Sequence, residues 1–204
     1  MTARALPRPA AVRRLHLVNP HTGETFDGPY RDGNGPIAGA IQDLDTFLRD
    51  FHSGEKTQMD VGVLDFLGDV LDAVGETKAT ILSAYRTAET NAMLARTMFG
   101  VAEHSQHILG RALDISLGSK LDAAMNAARA MQRGGVGWYP NSSFIHIDTG
   151  PVRNWTLDGA GFEDLLLFDG SRLRFQGPRR QLTVAQRLAL QHQLAHAEFI
   201  ARHH

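Results

Sequence analysis

The run His104-Ser105-Gln106-His107-Ile108-Leu109-Gly110-Arg111-Ala112-Leu113-Asp114-Ile115 sets two imidazoles, a carboxylate and a hinge glycine just ahead of a short apolar, β-forming segment. A histidine and an aspartate on a turn-then-strand segment can reach one divalent ion, and they supply two of the three protein ligands that an open catalytic zinc site requires. Phe144-Ile145-His146-Ile147-Asp148 is the natural source of the third. Side chains alternate across a strand, so Ile145 and Ile147 share the core face while His146 and Asp148 are forced onto the other. The expectation is a metal site built from His107, Asp114 and His146.

A third chemical group stands at the end of another strand. Lys78 to Tyr85 is β-branched and aromatic enough for a central strand, and it runs into Arg86-Thr87 before a helical stretch, Ala88 to Phe99. Ends of strands present functional side chains, so Arg86 can point into a cleft; the alternative is a surface pair with Glu89.

The remaining elements must position these groups. Arg14 to Val18 reads as a short strand, Asn19 to Glu24 as a turn, and Thr25-Phe26 as the start of a return strand. His21 is then a solvated turn residue. Ile37, Ile41, Leu44 and Leu48 make one helical stripe. A second helix begins near Asp60, buries Leu64, Leu67, Leu71 and Val74, and ends at Gly75 as C-cap. Lys120 to Gln132 is a helix closed by Gly134 and Gly135, with Leu121, Met125 and Ala128 on one side. Val136 to Tyr139 and Phe144 to Asp148 flank Pro140 to Ser143 as a hairpin. Beyond Trp155 the pattern changes to a small hairpin around Asp169-Gly170 and a last helix capped at Thr183 and Gln186, running to about Ala201. The predicted organisation is a flexible tail over 1–13, a domain over 14–155 and an extension over 156–204.

Composition bounds the function. The chain has 204 residues, 43% of them hydrophobic, enough for a core. A formal net charge of -1 leaves no electrostatic footprint for nucleic acid. With no cysteine there is no disulfide and no Cys-type zinc knuckle. No run reaches the ~18 apolar residues of a spanning helix, and the arginines near the N-terminus are not followed by the apolar stretch of an export signal. The expectation is a chain that acts where it is made or one from which a signal has been removed. His192 and His196, four apart on one helix, lack further ligands and read as a helix face.

The motifs now take a familiar form. Ser105-X-His107-X-X-Gly110-X-Ala112-X-Asp114 resembles the first zinc motif of the lysostaphin, D-Ala-D-Ala metallopeptidase and hedgehog group. Ser83-X-Tyr85-Arg86-Thr87, the stretch Gly134 to Pro140 and the stretch Phe144 to Trp155 sharpen this to the murein endopeptidase K branch of bacterial cell-wall metallopeptidases. Leu17-X-Asn19-X-His21-Thr22-Gly23-Glu24 and Thr46-Phe47-Leu48-Arg49-Asp50 fit the same branch, so the resemblance spans Arg14 to Trp155.

The resemblance implies a small α+β fold whose mostly antiparallel sheet carries a zinc site in a groove, with helices packed on it and a hairpin-helix appendage after it. It implies one zinc ion on His107, Asp114 and His146, with Arg86 facing a substrate carbonyl or carboxylate. The implied substrate is the peptide stem and cross-links of peptidoglycan, and the implied workplace is the periplasm or cell envelope, with a monomer favoured. In related dipeptidases a glutamate lies three positions before the last zinc histidine; here that position is Ser143. Asp148 is the substitute general base, or else it orients a ligand imidazole, and His104 is the second choice as base. Ser105 is expected to fix its loop, Gly110 to supply a special backbone conformation, and Trp138 to pack in the core, while Tyr85 and Tyr139 line the groove or the sheet. The leading activity is hydrolysis of diaminopimelate-diaminopimelate cross-links. A D-Ala-D-Ala carboxypeptidase or D,D-endopeptidase, and a zinc-stabilised module that binds cell wall without cleaving it, are the alternatives.

Overall fold

Alternating apolar residues in short strands build the centre of the molecule, seen in a computed structural model that describes residues 12–97, 102 and 104–157. Eight strands form one sheet: β1 (Arg13–Val18), β2 (Thr25–Asp32), β3 (Gly35–Pro36), β4 (Lys78–Ser83), β5 (Ala112–Ser116), β6 (Gly135–Tyr139), β7 (Phe144–Asp148) and β8 (Arg153–Thr156), in the spatial order β3-β2-β1-β4-β5-β7-β6-β8. The helices are α1 (Ala38–Phe47), α2 (Val61–Val74), α3 (Ala88–Thr97) and α4 (Leu121–Met131).

The α+β class agrees with expectation; the sheet departs from it. It is larger than a small antiparallel sheet, and its pairing is mixed, because β1 runs parallel to β4 and β6 parallel to β8. The first parallel pair follows from the intervening β2, β3, α1 and α2, which carry the chain back to the same end of the sheet before β4 begins. The second arises because residues 149–152 cross the end of β6 and lay β8 along its outer edge. β8 carries no buried alternation, only one partly buried residue, Trp155, so hydrophobic periodicity does not announce it.

Leu15, Leu17, Ala79, Ile81, Leu113, Ile115, Ile145 and Ile147 are buried on the sheet and join Ile41, Leu44, Val63, Leu64, Phe66, Leu67, Leu71, Leu121 and Ala128 from the helices in one core. Each fully buried Leu, Ile or Phe contributes about 1.5–3 kcal/mol, so this pattern dominates the choice of strand register. The predicted ends of α2 are observed. Asp60 caps it by accepting from the Gly62 amide at 2.8 Å, and Gly75 closes it at φ 68, a left-handed conformation that suits glycine. Met125 and Trp138 are partly buried against the core.

Of the tail expected over 1–13, residues 1–11 lie outside the described residues while Arg13 already belongs to β1; the hairpin around Asp169-Gly170, the helix after Thr183 and the pair His192/His196 also lie outside the described residues. Among the described residues, no helix is long and apolar enough to cross a membrane.

Candidate metal centre and cleft

One rung across the sheet builds the site. Ser83 on β4 pairs with Asp114 on β5, Asp114 with His146 on β7, His146 with Gly137 on β6, and Gly137 with Trp155 on β8. Directly opposed residues in a sheet send their side chains to the same face, so the isoleucines that lock β7 into the core bring His146 alongside Asp114. His107 arrives from outside the sheet, on the 3-10 turn Gln106–Leu109 that leads into β5. Ser105 caps that turn, its hydroxyl accepting from the His107 amide at 3.3 Å. Gly110 ends it at φ 64, where a Cβ would meet the Gln58 carbonyl oxygen at 2.9 Å.

Asp114 Oδ1 lies 2.9 Å from His146 Nδ1 and 3.3 Å from His107 Nε2, and the two ring nitrogens are 3.2 Å apart. The outer nitrogen of each imidazole is engaged elsewhere: His107 Nδ1 stands 2.6 Å from the Ala84 carbonyl oxygen, and His146 Nε2 stands 2.8 Å from Asp148 Oδ2. A carbonyl and a carboxylate only accept, so each neutral ring spends its one N–H outward and turns a lone pair inward. Three acceptor atoms then face one another with no donor between them. With both rings neutral that arrangement is repulsive, and either a proton taken up by His146 or a cation among the three atoms relieves it; the buried set His107, Asp114 and His146 fits a metal ion.

Without a cation, the charges of the group resolve in opposite directions. Burial, reinforced by Arg86, pushes the His107 imidazole down to about 4. Burial also opposes a charge on His146, but hydrogen bonds to Asp114 and Asp148 outweigh it and raise that ring. Asp114 is held well below the ordinary carboxylate range despite its burial, by His107 and Arg86.

Arg86 pairs with one member of that candidate group: its Nη2 donates to Asp114 Oδ2 at 2.5 Å and its Nε to Ser83 Oγ at 2.8 Å. It lines a cleft with His104, Gln106, His107, Asp114, Tyr139 and His146. His104 is exposed on that cleft and stands apart from the three converging ligand atoms. Tyr85 packs partly buried against the core, whereas Tyr139 stacks on Phe144 at 4.2 Å and faces the cleft.

Asp148 is fully buried. Its Oδ1 accepts from the Gly135 amide at 3.0 Å, the Gly150 amide at 2.8 Å and Arg153 Nη1 at 3.1 Å, while its Oδ2 takes Arg153 Nη2 at 2.7 Å besides His146. Gly135 must lack a side chain here, because a Cβ would meet Asp148 Oδ2 at 2.4 Å and Arg153 Nη1 at 2.5 Å. Arg153 and Trp155 received no role from sequence reasoning, although both lie within the quoted stretch after β7. Arg153 also covers the Trp155 ring at 5.0 Å, and that ring lies 5.2 Å from His146 and donates through Nε1 to the Tyr139 hydroxyl. A Cβ on Gly137 would stand 2.6 Å from Trp155, so the gap in the rung at Gly137 is what admits the indole.

The model of the family described as Peptidoglycan L,D-endopeptidase MepK matches residues 8–155. The chain belongs to the MepK family. It is 40% identical over 151 residues to the Peptidoglycan L,D-endopeptidase MepK of Escherichia coli (strain K12), covering 73% of this chain and 81% of that protein. The same figures relate it to the protein of that name from Shigella flexneri. The Probable peptidoglycan L,D-endopeptidase MepK of Haemophilus influenzae is 37% identical over 152 residues, covering 73% of this chain and 80% of the relative. No solved structure matches the chain. Membership in the MepK family makes this chain a metallopeptidase, with a buried His/Asp group able to hold the ion.

Proposed function

We propose that the chain is a zinc-dependent peptidoglycan endopeptidase that cleaves peptide cross-links between diaminopimelate residues, in the cell envelope where that polymer lies, and that it works as a monomer. The reading rests on one observation: three buried acceptor atoms, on His107, Asp114 and His146, converge at the wall of a cleft that also holds a guanidinium. Two imidazole nitrogens and one carboxylate oxygen match the donor set of catalytic zinc, which supplies a Lewis acid and a water acidified to a pKa of about 7. The names of the relatives support the choice of substrate and of an L,D bond.

The chain's own residues divide the remaining work. His107 and His146 keep their inward nitrogens unprotonated because Ala84 and Asp148 take up their N–H groups. Arg86, braced on Asp114 and Ser83, is the group that offsets negative charge developing on the oxygen of the scissile carbonyl. Asp148 holds the proton of His146 Nε2 and keeps the ring in one orientation; its oxygens are already occupied by Arg153 and two backbone amides. Of the two roles open to it, orientation is the one these partners favour, which leaves His104 on the exposed rim as the candidate for proton transfer.

Digestion of purified sacculi, read by mass spectrometry of the released muropeptides, tests the whole reading. His107→Ala, Asp114→Ala and His146→Ala are expected to abolish both zinc retention and cleavage. Full cleavage by any of them, or by protein stripped with a chelator, would overturn the zinc mechanism. Cleavage restricted to D-Ala-containing cross-links would overturn the choice of bond, and tight zinc binding with no cleavage would mark a binding module.

A further inference from the structure

The quoted motif Thr46-Phe47-Leu48-Arg49-Asp50 runs off the end of α1, and among the described residues its last three positions make no hydrogen bond or ion pair with the side chains of the expected site residues. The segment it does touch is Ala84-Tyr85-Arg86-Thr87, and the contacts alternate along that segment. Ala84 and Arg86 face the 3-10 turn: the Ala84 carbonyl receives His107 Nδ1 at 2.6 Å, and the Arg86 amide donates to the His107 carbonyl at 3.3 Å. Tyr85 and Thr87 face the other way. The Tyr85 amide donates to the Leu48 carbonyl at 3.1 Å, and the Thr87 amide and hydroxyl donate to Asp50 Oδ2 at 2.9 and 3.1 Å.

Asp50 is 1% exposed, and no Lys or Arg pairs with it among the described residues. An uncompensated buried carboxylate is costly, and here the compensation comes from the two donors of Thr87, the His52 amide at 2.9 Å on Oδ1 and the His52 imidazole, whose Nδ1 stands 3.6 Å from the same oxygen. The turn that carries Asp50 is closed by its own amide donating to Glu55 and by the Gly54 amide donating to its carbonyl. Thr87 passes the restraint on, since its hydroxyl also accepts from the Thr90 amide in the first turn of α3.

We propose that Asp50 is a positioning residue for Arg86: it clamps Thr87 and so fixes the turn from which the guanidinium enters the cleft. The inference rests on the role given to Arg86 above. Displacement of a catalytic group by about 1 Å can cost up to ~100-fold in rate, which is the leverage a distant clamp has.

The test is a double-mutant cycle on zinc-loaded protein, with kcat and KM measured for cleavage of sacculus-derived muropeptides. Asp50→Asn is expected to lower kcat about 10- to 100-fold with little change in KM, and to cost little more in an Arg86→Gln background. A merely structural role would instead give losses that multiply in the double variant, and that result, or an Asp50→Asn enzyme with unchanged kcat, overturns the clamp. Should Asp50→Asn not fold, Thr87→Val and Thr87→Ser carry the same comparison: the valine is expected to reproduce the loss and the serine, which keeps the hydroxyl, to restore the rate. Arg86→Gln at full kcat would overturn the assignment of Arg86 itself, a failure separate from that of the clamp.

Discussion

The two imidazoles of the candidate metal centre are held by different kinds of partner. His107 leans on a backbone carbonyl, that of Ala84, which no substitution removes. His146 leans on a side chain, Asp148, which is itself gripped by Arg153 and by the amides of Gly135 and Gly150. The first anchor is a property of the path of the chain between β4 and α3, and it can be moved only by moving that segment. The second is a chain of side chains that can be cut link by link. The asymmetry says that the β7 half of the centre is where single substitutions should weaken metal binding without touching a ligand.

The largest effect is expected at Asp148. In Asp148→Asn the amide can turn its NH2 toward His146 Nε2, and the ring then gains its proton on the inward Nδ1. Loss of such a partner typically costs ~10- to 100-fold in metal affinity. Competition for zinc with a chromophoric chelator measures it. Affinity at the wild-type level together with collapsed turnover would reverse the assignment and make Asp148 the general base.

A smaller effect is expected one link further out. Arg153 is 42% exposed in its side chain, so its pairing with Asp148 is partly screened by solvent. Asp148 keeps its two backbone donors when the guanidinium is removed. Arg153→Met should therefore lower zinc affinity by less than ~10-fold, and it should also change the fluorescence of Trp155, which loses the cation over its ring. An Arg153→Met protein that loses as much zinc as Asp148→Asn would show that the arginine, not the backbone amides, keeps Asp148 in place.

The ease of reading the centre from the amino-acid sequence divides along the same line. His146 and Asp148 are legible because Ile145 and Ile147 fix the face of β7, and alternation does the rest. Asp114 is legible because it stands on the short β-forming segment that follows His107 and the hinge glycine. What periodicity cannot express is the register between strands, so the rung that joins Ser83, Asp114, His146, Gly137 and Trp155 emerges only from the paired sheet. β8 escapes because its four residues are mostly exposed and its pairing to β6 depends on a crossing loop. Asp50 escapes for a different reason: its long-range partners are the amide and hydroxyl of Thr87, 37 residues away, and neither carries a charge that would mark the pairing in the sequence.

The smallest effect is expected where the anchor is backbone. Ala84 is buried at the end of β4, and its carbonyl, not its methyl group, meets His107. Ala84→Gly removes one buried methyl and adds conformational freedom to the unfolded chain, costs of about 1 kcal/mol each. Neither cost falls on the hydrogen bond itself, because the segment stays stitched at Tyr85 to Leu48 and at Thr87 to Asp50. The variant should melt at a lower temperature yet hold zinc within about twofold of the unaltered protein, well short of the change expected when a side-chain anchor is lost. The paired measurement is thermal unfolding of the metal-free protein and chelator competition on the loaded one. If affinity falls as far in Ala84→Gly as in Asp148→Asn, the backbone anchor is no sturdier than the side-chain one, and the asymmetry between the two halves of the centre disappears.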